Sequence, residues 1–353
     1  MSLVYSSGLS PQIARAGQWF LTSGIQESDG GVARYFHTDL NRNHAISTEI
    51  TGYAASTFVY LHSLSGEERY LDGAIAAATF LAQTAWDAAS GVMPFEISPP
   101  RFSYFFDCGI IVRGLLAVWR VTRQDLLLEI AIAVGDSMAR DFAATGEFHP
   151  ILTLPGREPV ARDAGRWSRS PGCYQLKSAM AWTDLAEAAQ DSHFRHLYES
   201  VLESSLRTYG SFLPGNPDRA KVMDRLHAFC YFLEGLLPRA SNPRCAAALC
   251  NGIQVAAAHL RDIAPEFERS DVYAQLLRAR LHAAAAGAVP LDHKAAAWEA
   301  AQLGNFQSEG GGFYFGRKDG AWLPFLNPVS TGFALQALEL WESRCAPDPR
   351  QLI

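Results

Sequence analysis

The chain has 353 residues, longer than a usual domain, and its 48% hydrophobic and 19% charged content suits a globular protein with a large core. With 36 acidic and 30 basic side chains the net charge is -6, without the basic stripe of a nucleic-acid binder. No uninterrupted apolar run reaches the length of a bilayer-spanning helix, so nucleic acid and membrane are both excluded as expected partners.

In chain order, helical periodicity predicts helices over 10–25, 46–64, 67–85, 105–122, 124–142, 173–190, 192–212, 222–238, 243–263, 270–286, 291–305 and 329–344. Strand-like alternation is almost absent. Short breaks at Ser65-Gly66, Arg123-Gln124 and Asp191-Ser192 demand antiparallel neighbours. Long breaks over 26–45, 86–104, 143–172, 213–221 and 306–328 alternate with them. The opening Met1–Gly8 has no basic segment followed by an apolar run, so no signal peptide is expected. Cys108, Cys173, Cys230, Cys245, Cys250 and Cys345 form no C-x-x-C pair and read as free buried thiols of a cytoplasmic protein.

The chain also repeats itself. Trp19-Phe20-Leu21 leads to Gln26-Glu27-Ser28-Asp29-Gly30-Gly31, and Phe80-Leu81 leads to Trp86-Asp87 and Ser90-Gly91. Phe306-Gln307-Ser308-Glu309-Gly310-Gly311-Gly312-Phe313 restates the theme. Ser47-Thr48 with Thr51-Gly52-Tyr53-Ala54 matches Ser330-Thr331-Gly332-Phe333-Ala334. An outer helix would end at a glycine pair, a loop would cross the rim, and a capped inner helix would begin. The predicted fold is all-α, a single (α/α)₆ toroid domain over 1–353, with its first and last repeats adjacent in the closed ring.

The Gln-x-x-Asp-Gly-Gly text at 26–31 with its flanking aromatics resembles the repeat of the six-hairpin α/α toroid families. These include terpenoid cyclases, protein prenyltransferases, unsaturated glucuronyl hydrolases, polysaccharide lyases and sugar epimerases. The resemblance implies the fold and leaves the chemistry open.

In such a ring the inner-helix starts and the long loops form the mouth of a central pocket. Asp107 follows the aromatic run Arg101-Phe102-Ser103-Tyr104-Phe105-Phe106, which would desolvate its carboxyl and make it a proton donor; capping its helix is the alternative. Asp224 and His227 share a helix face, a carboxylate beside an imidazole, with Arg225 turned elsewhere. Glu49, one turn into an inner helix, is either a site carboxylate or half of a rim ion pair with His37, Arg42 or His44. The candidate catalytic set is therefore Asp107, Asp224, His227 and Glu49. Candidate substrate contacts are Arg101, Tyr104, Trp167, Arg169, Lys177, Arg225, Tyr273, Tyr314 and Arg317, because arginine forks grip carboxylates and indoles stack on pyranose faces. Metal-ligand chemistry at His37, Asp39 and His44 has no helix to space it, so neither metal nor cofactor is expected.

These residues suggest an enzyme acting on a small-molecule or oligosaccharide substrate, one that carries a uronic acid, by hydrolysis, elimination or epimerisation. Two alternatives stay open. An isoprenoid enzyme would need a D-x-D-D or D-D-x-x-D string, and neither occurs; a prenyltransferase-like zinc set is disturbed because Asp107 directly adjoins Cys108. A non-catalytic saccharide-binding toroid would lack a carboxylate of perturbed pKa.

Overall fold

The computed structural model describes residues 9–89, 91–99, 101–163, 165–213, 218–264, 266–343 and 347–353. The opening Met1–Gly8, Ser90 and Cys345 lie outside the described residues. Among the described residues there are twelve α-helices. They are α1 (Pro11–Thr22), α2 (Thr48–Ser65), α3 (Glu68–Thr79), α4 (Phe105–Thr122), α5 (Asp125–Asp141) and α6 (Gln175–Ala188). Then follow α7 (Ser192–Thr208), α8 (Arg219–Leu236), α9 (Pro243–Ile263), α10 (Ser270–Ala285), α11 (His293–Gly304) and α12 (Pro328–Ser343).

The even-numbered helices form the inner ring. Each packs on the next, and α12 packs back on α2 to close the circle, giving the (α/α)₆ toroid. Composition separates the two layers. Inner helices are apolar almost all round, as in α4, where every residue from Phe105 to Leu116 is buried. Outer helices such as α7 bury one stripe: Phe194, Tyr198, Val201, Leu202 and Ser205. Small residues set the spacing of the ring. A Cβ on Gly109 of α4 would lie 2.3 Å from the Ser178 carbonyl oxygen of α6, closer than any side chain allows.

Among the described residues ten strands of two or three residues occupy the rim: β1 (Phe36–His37), β2 (Arg42–Asn43), β3 (Phe102–Tyr104), β4 (Ala143–Ala144) and β5 (Glu147–Phe148). The others are β6 (Ile151–Thr153), β7 (Phe267–Arg269), β8 (Gly316–Lys318), β9 (Ala321–Trp322) and β10 (Phe325–Leu326). They are too short for alternation to register in the sequence. The antiparallel pair β1–β10 stitches the first rim loop to the last, which makes the two ends of the chain neighbours.

The internal repeat is real in three dimensions. Gln26 Nε2 donates to Gly30 O (3.1 Å) and Gly73 O (2.9 Å), as Gln307 Nε2 donates to Gly311 O (3.0 Å) and Gln12 O (2.9 Å). Gly30 (φ 93°) and Gly311 (φ 99°) adopt the left-handed region that favours glycine. Their place differs from the expected one. Helix α1 ends at Thr22, and Gly30 closes a turn inside the rim loop, where the Gln26–Val32 bridge demands it.

The far end of the ring is sealed by the tail. Arg113, Lys177 and Arg278 donate to Leu352 O (2.8 Å), Ile353 O (2.9 Å) and Ile353 O (3.1 Å), and Gln336 Nε2 donates to Gln351 O (2.7 Å). Glu234 pairs with both Lys177 (3.2 Å) and Arg278, so one buried carboxylate is shared between two cations. No helix among the described residues is long and apolar enough to cross a membrane. Cys108, Cys173, Cys230 and Cys245 are buried free thiols, and Cys250 is half-buried and free.

Candidate functional site

At the mouth a cavity of about 260 Å³ is walled by Glu49 (α2), Asp107 (α4), Tyr174, His227 and Tyr231 (α8), and the rim residues Phe95, Tyr104 and Trp167. Helix α2 stands three places around the six-helix ring from α8, so the carboxylates face the imidazole across the opening.

Asp107 does not cap its helix. Tyr104 occupies the N-cap position, and Asp107 Oδ2 is buried without a hydrogen-bond partner. Burial, and then the nearby Glu49 charge, push its carboxyl well above the usual range, against the opposing pull of Arg34. Burial likewise lifts Glu49 from 4.5 to about 7. Two neighbouring carboxyls in a desolvated wall cannot both ionise, so the pair holds a proton at neutral pH. The expected rim ion pair of Glu49 is absent among the described residues. Arg34, the cation nearest the pair, is paired with Glu96 and lies 4.4 Å over the Phe95 ring.

His227 is held from behind. Its Nδ1 lies 2.8 Å from Gln275 Oε1 and 3.2 Å from Asp271 Oδ2. Both partners are acceptors, so Nδ1 carries the hydrogen and Nε2 keeps its lone pair. Burial lowers the imidazole pKa, against the Asp271 charge that raises it, which leaves the ring neutral. Arg269 grips Asp271 through two bonds (3.0 and 2.6 Å) and reaches Asp224 at 2.8 Å. Asp224 also accepts from Trp167 Nε1 at 2.7 Å. A continuous chain therefore runs from the rim indole through Asp224, Arg269 and Asp271 to the imidazole.

The sequence candidates thus divide. Glu49, Asp107, Tyr104, Trp167 and His227 converge on the cavity. Asp224 stays on the rim, half exposed and bound by Arg269 and Trp167; helix α8 starts at Arg219, so Asp224 sits too far up it to share the wall with His227. Arg169 is half-buried beside Tyr104, near enough to act on its phenol, and forms no ion pair among the described residues. The other six lie elsewhere. Arg101 precedes β3, outside the lining, its carbonyl bonded to Leu154 N at 3.0 Å. Lys177 points down the ring into the ionic layer, burial lowering its pKa to about 7. Arg225 turns outward, donating to Phe212 O at 3.3 Å. Tyr273 and Arg317 share Glu268 (3.0 and 2.7 Å) on the outer side of the ring, and Tyr314 stacks on Trp322 at 5.0 Å. His37 and His44 stack 6.0 Å apart in the β1–β2 hairpin, with Asp39 3.7 Å from His37. No group of three or more potential metal ligands occurs among the described residues.

Sequence reasoning missed Asp271, Arg269, Arg34, Tyr53 and Tyr231 as site residues. A signal for Asp271 existed: it sits one residue into α10 just after the three-residue strand β7, much as Asp107 follows β3 into α4. Tyr231 lines the cavity with Tyr53 close to it; burial pushes both phenols well up, Tyr231 raising Tyr53 further while Tyr53 pulls Tyr231 part of the way back.

No protein-family model matches this sequence, and no curated protein sequence matches it significantly. Solved structures do. A sugar epimerase from a ruminal bacterium is 12% identical, with 94% of this chain and 99% of that chain covered at a TM-score of 0.70. A D-mannose isomerase is 9% identical, covering 98% of this chain and 100% of that one at 0.73. The unsaturated glucuronyl hydrolase of Bacillus sp. GL1 is 14% identical, covering 95% and 97% at 0.64. At these identities the likeness is one of fold.

Proposed function

We propose that this chain is a carbohydrate-active enzyme, one toroid domain over its whole length, that takes a single sugar ring into the cavity and moves protons on it. The observation that carries the reading is a pair of neighbouring carboxyls, both pushed up by burial, sharing one small cavity with an oriented imidazole. Asp107 donates its proton to a substrate oxygen, and Glu49 shares the charge left behind. His227 Nε2 accepts a proton from carbon or water on the facing side, while Asp271 stabilises the imidazolium that results. Asp224 acts through Arg269 and Trp167 as a positioning residue. Tyr104, Trp167 and Arg169 contact the sugar.

This pairing of acid and base favours proton abstraction at carbon, the chemistry of epimerisation or isomerisation. The similar structures named as sugar epimerase and mannose isomerase support the same direction. A second reading, hydrolysis or elimination at a uronic acid, is favoured by Arg169, which acts on Tyr104 of the cavity wall and forms no ion pair among the described residues, a fork suited to a carboxylate. A prenyl chain would leave the buried Asp107 and Glu49 without a polar partner, which argues against the isoprenoid alternative. The free buried thiols fit a reducing compartment, in support of a cytoplasmic location.

The test is a panel of aldoses, disaccharides and saturated or unsaturated uronate disaccharides, followed by proton NMR in D₂O. Deuterium entering at the carbon beside the carbonyl, lost in Asp107→Asn and His227→Gln, is the expected result. Loss of the enol-ether signal from an unsaturated uronide, or its appearance from a saturated one, would select the second reading. Turnover that survives Asp107→Asn, or no turnover of any saccharide, would refute the proposal.

A further inference from the structure

The central cavity is at the small end for a ligand pocket, which commonly spans about 300–1,000 Å³. At about 260 Å³ it accommodates one ring. Larger hollows among the described residues include two of about 710 Å³ and about 610 Å³. They differ in one respect that matters.

The 610 Å³ hollow lies at the opposite end, around Arg113, Arg120, Arg350 and Leu352. The Lys177–Glu234–Arg278 layer and the tail stand between it and the cavity, so no ligand passes from one to the other. The 710 Å³ groove instead runs beside the mouth, between the end of α5 with its β4–β5 hairpin and the exposed face of α7. Trp167 lines both this groove and the catalytic cavity. The Trp167 indole thus borders both spaces, and its Nε1 is fixed by Asp224 at 2.7 Å, which orients the ring.

The groove is hydroxyl-rich: Ser170, Ser200, Ser204, Thr208 and Ser211 line it, with Arg207 and Arg225 at its edges. The hydroxyls of Ser200, Thr208 and Ser211 donate to helix carbonyls (2.8, 3.0 and 2.9 Å), which leaves their oxygen lone pairs as acceptors for ligand hydroxyls. Ligands recognised by many short hydrogen-bonding side chains beside an aromatic ring are polyols rather than apolar groups.

We propose that this groove is an extended saccharide site: the reacting ring occupies the central cavity, and the following sugar units pass over Trp167 and lie along α7. The inference rests on the carbohydrate reading of the cavity and names its substrate as an oligosaccharide. Each ring seated in the groove adds one or two net hydrogen bonds, about tenfold in affinity.

The experiment measures binding of glucose, cellobiose and cellotriose, and of the same series ended by glucuronate, by saturation-transfer NMR and calorimetry. It uses the full chain and three variants. Ser204→Trp fills the groove from a half-buried position. Ser63→Trp, exposed in the opposite hollow, controls for added bulk. Asp107→Asn reports on the cavity. In the unsubstituted protein and in Ser63→Trp, affinity rises about tenfold with each added ring; in Ser204→Trp the ratio of trisaccharide to monosaccharide affinity collapses toward one, with an unchanged melting temperature. If monosaccharides bind and chain length brings no gain, or if the gain survives Ser204→Trp, the extended site is wrong and the reading of the cavity stands. If no saccharide of any length binds, or Asp107→Asn leaves every affinity and turnover unchanged, the carbohydrate reading itself is wrong and the groove falls with it.

Discussion

Replacing Glu49 by Gln should stabilise the protein at alkaline pH, because the native carboxylate is held where its charge is penalised. The folded group titrates at about 7 against an ordinary 4.5. Below about pH 4.5 both folded and unfolded chains carry the proton. Between 4.5 and 7 the unfolded chain has released it and the folded chain has not, so stability falls as pH rises through this window and reaches its floor above 7. At ~1.36 kcal/mol per factor of ten, the rise corresponds to ~3 kcal/mol; Glu49 is partly open to the cavity, and solvent screening brings this to ~2 kcal/mol. For 353 residues the unfolding entropy is about 0.7 kcal/mol/K, so Glu49→Gln should raise the melting temperature by ~3 °C at pH 8 and by under ~1 °C at pH 4.5. The sign is reinforced through Asp107, whose own carboxyl is raised partly by the Glu49 charge. Differential scanning calorimetry of both proteins at the two pH values decides it. A difference that is the same at pH 4.5 and pH 8, or a loss of stability at pH 8, would refute the reasoning that this carboxylate is desolvated beside a second one. Stability sacrificed at a carboxylate in a cavity wall is what a functional site shows.

Three further outcomes follow from the geometry. Asp271→Asn removes the charge that helps fix the His227 tautomer and stabilises its protonated form; ¹⁵N NMR should show the hydrogen redistributed between Nδ1 and Nε2, and turnover of whichever saccharide of the panel reacts should fall about 10²- to 10⁴-fold. Gly109→Ala forces a Cβ to within 2.3 Å of the Ser178 carbonyl oxygen, and urea titration should register a loss of ~2 kcal/mol or more as α4 and α6 are pushed apart. Arg278→Met leaves Glu234 paired with Lys177 but strips Glu234, Gln336 and Ile353 O of a donor; thermal unfolding should report a loss of ~1–3 kcal/mol, with the cavity residues still in place by saccharide binding.

Much of this architecture is legible in one dimension. Twelve helices, their alternating short and long connections, and the likeness of 26–31 to 307–312 follow from local physics: apolar period, breaker residues, and glycine where the backbone turns left-handed. The aromatic run before Asp107 likewise announced a desolvated carboxyl, since four aromatic neighbours in sequence leave little water at the start of a buried helix. Direction across the ring was not legible. Lys177 and Tyr174 are three residues apart at the start of α6, yet Tyr174 walls the cavity while the long Lys177 stem carries its charge down to Glu234. Asp224 and His227 share a face, but α8 begins higher than its apolar text suggested, so the carboxylate meets Arg269 at the rim and the imidazole meets Asp271 from the next helix. Such partners lie on elements far apart in the chain. Propensity and periodicity fix which side of a helix is buried; only closure of the ring fixes which other helix that side confronts, and therefore which charges are paired, which are stranded, and where chemistry becomes possible.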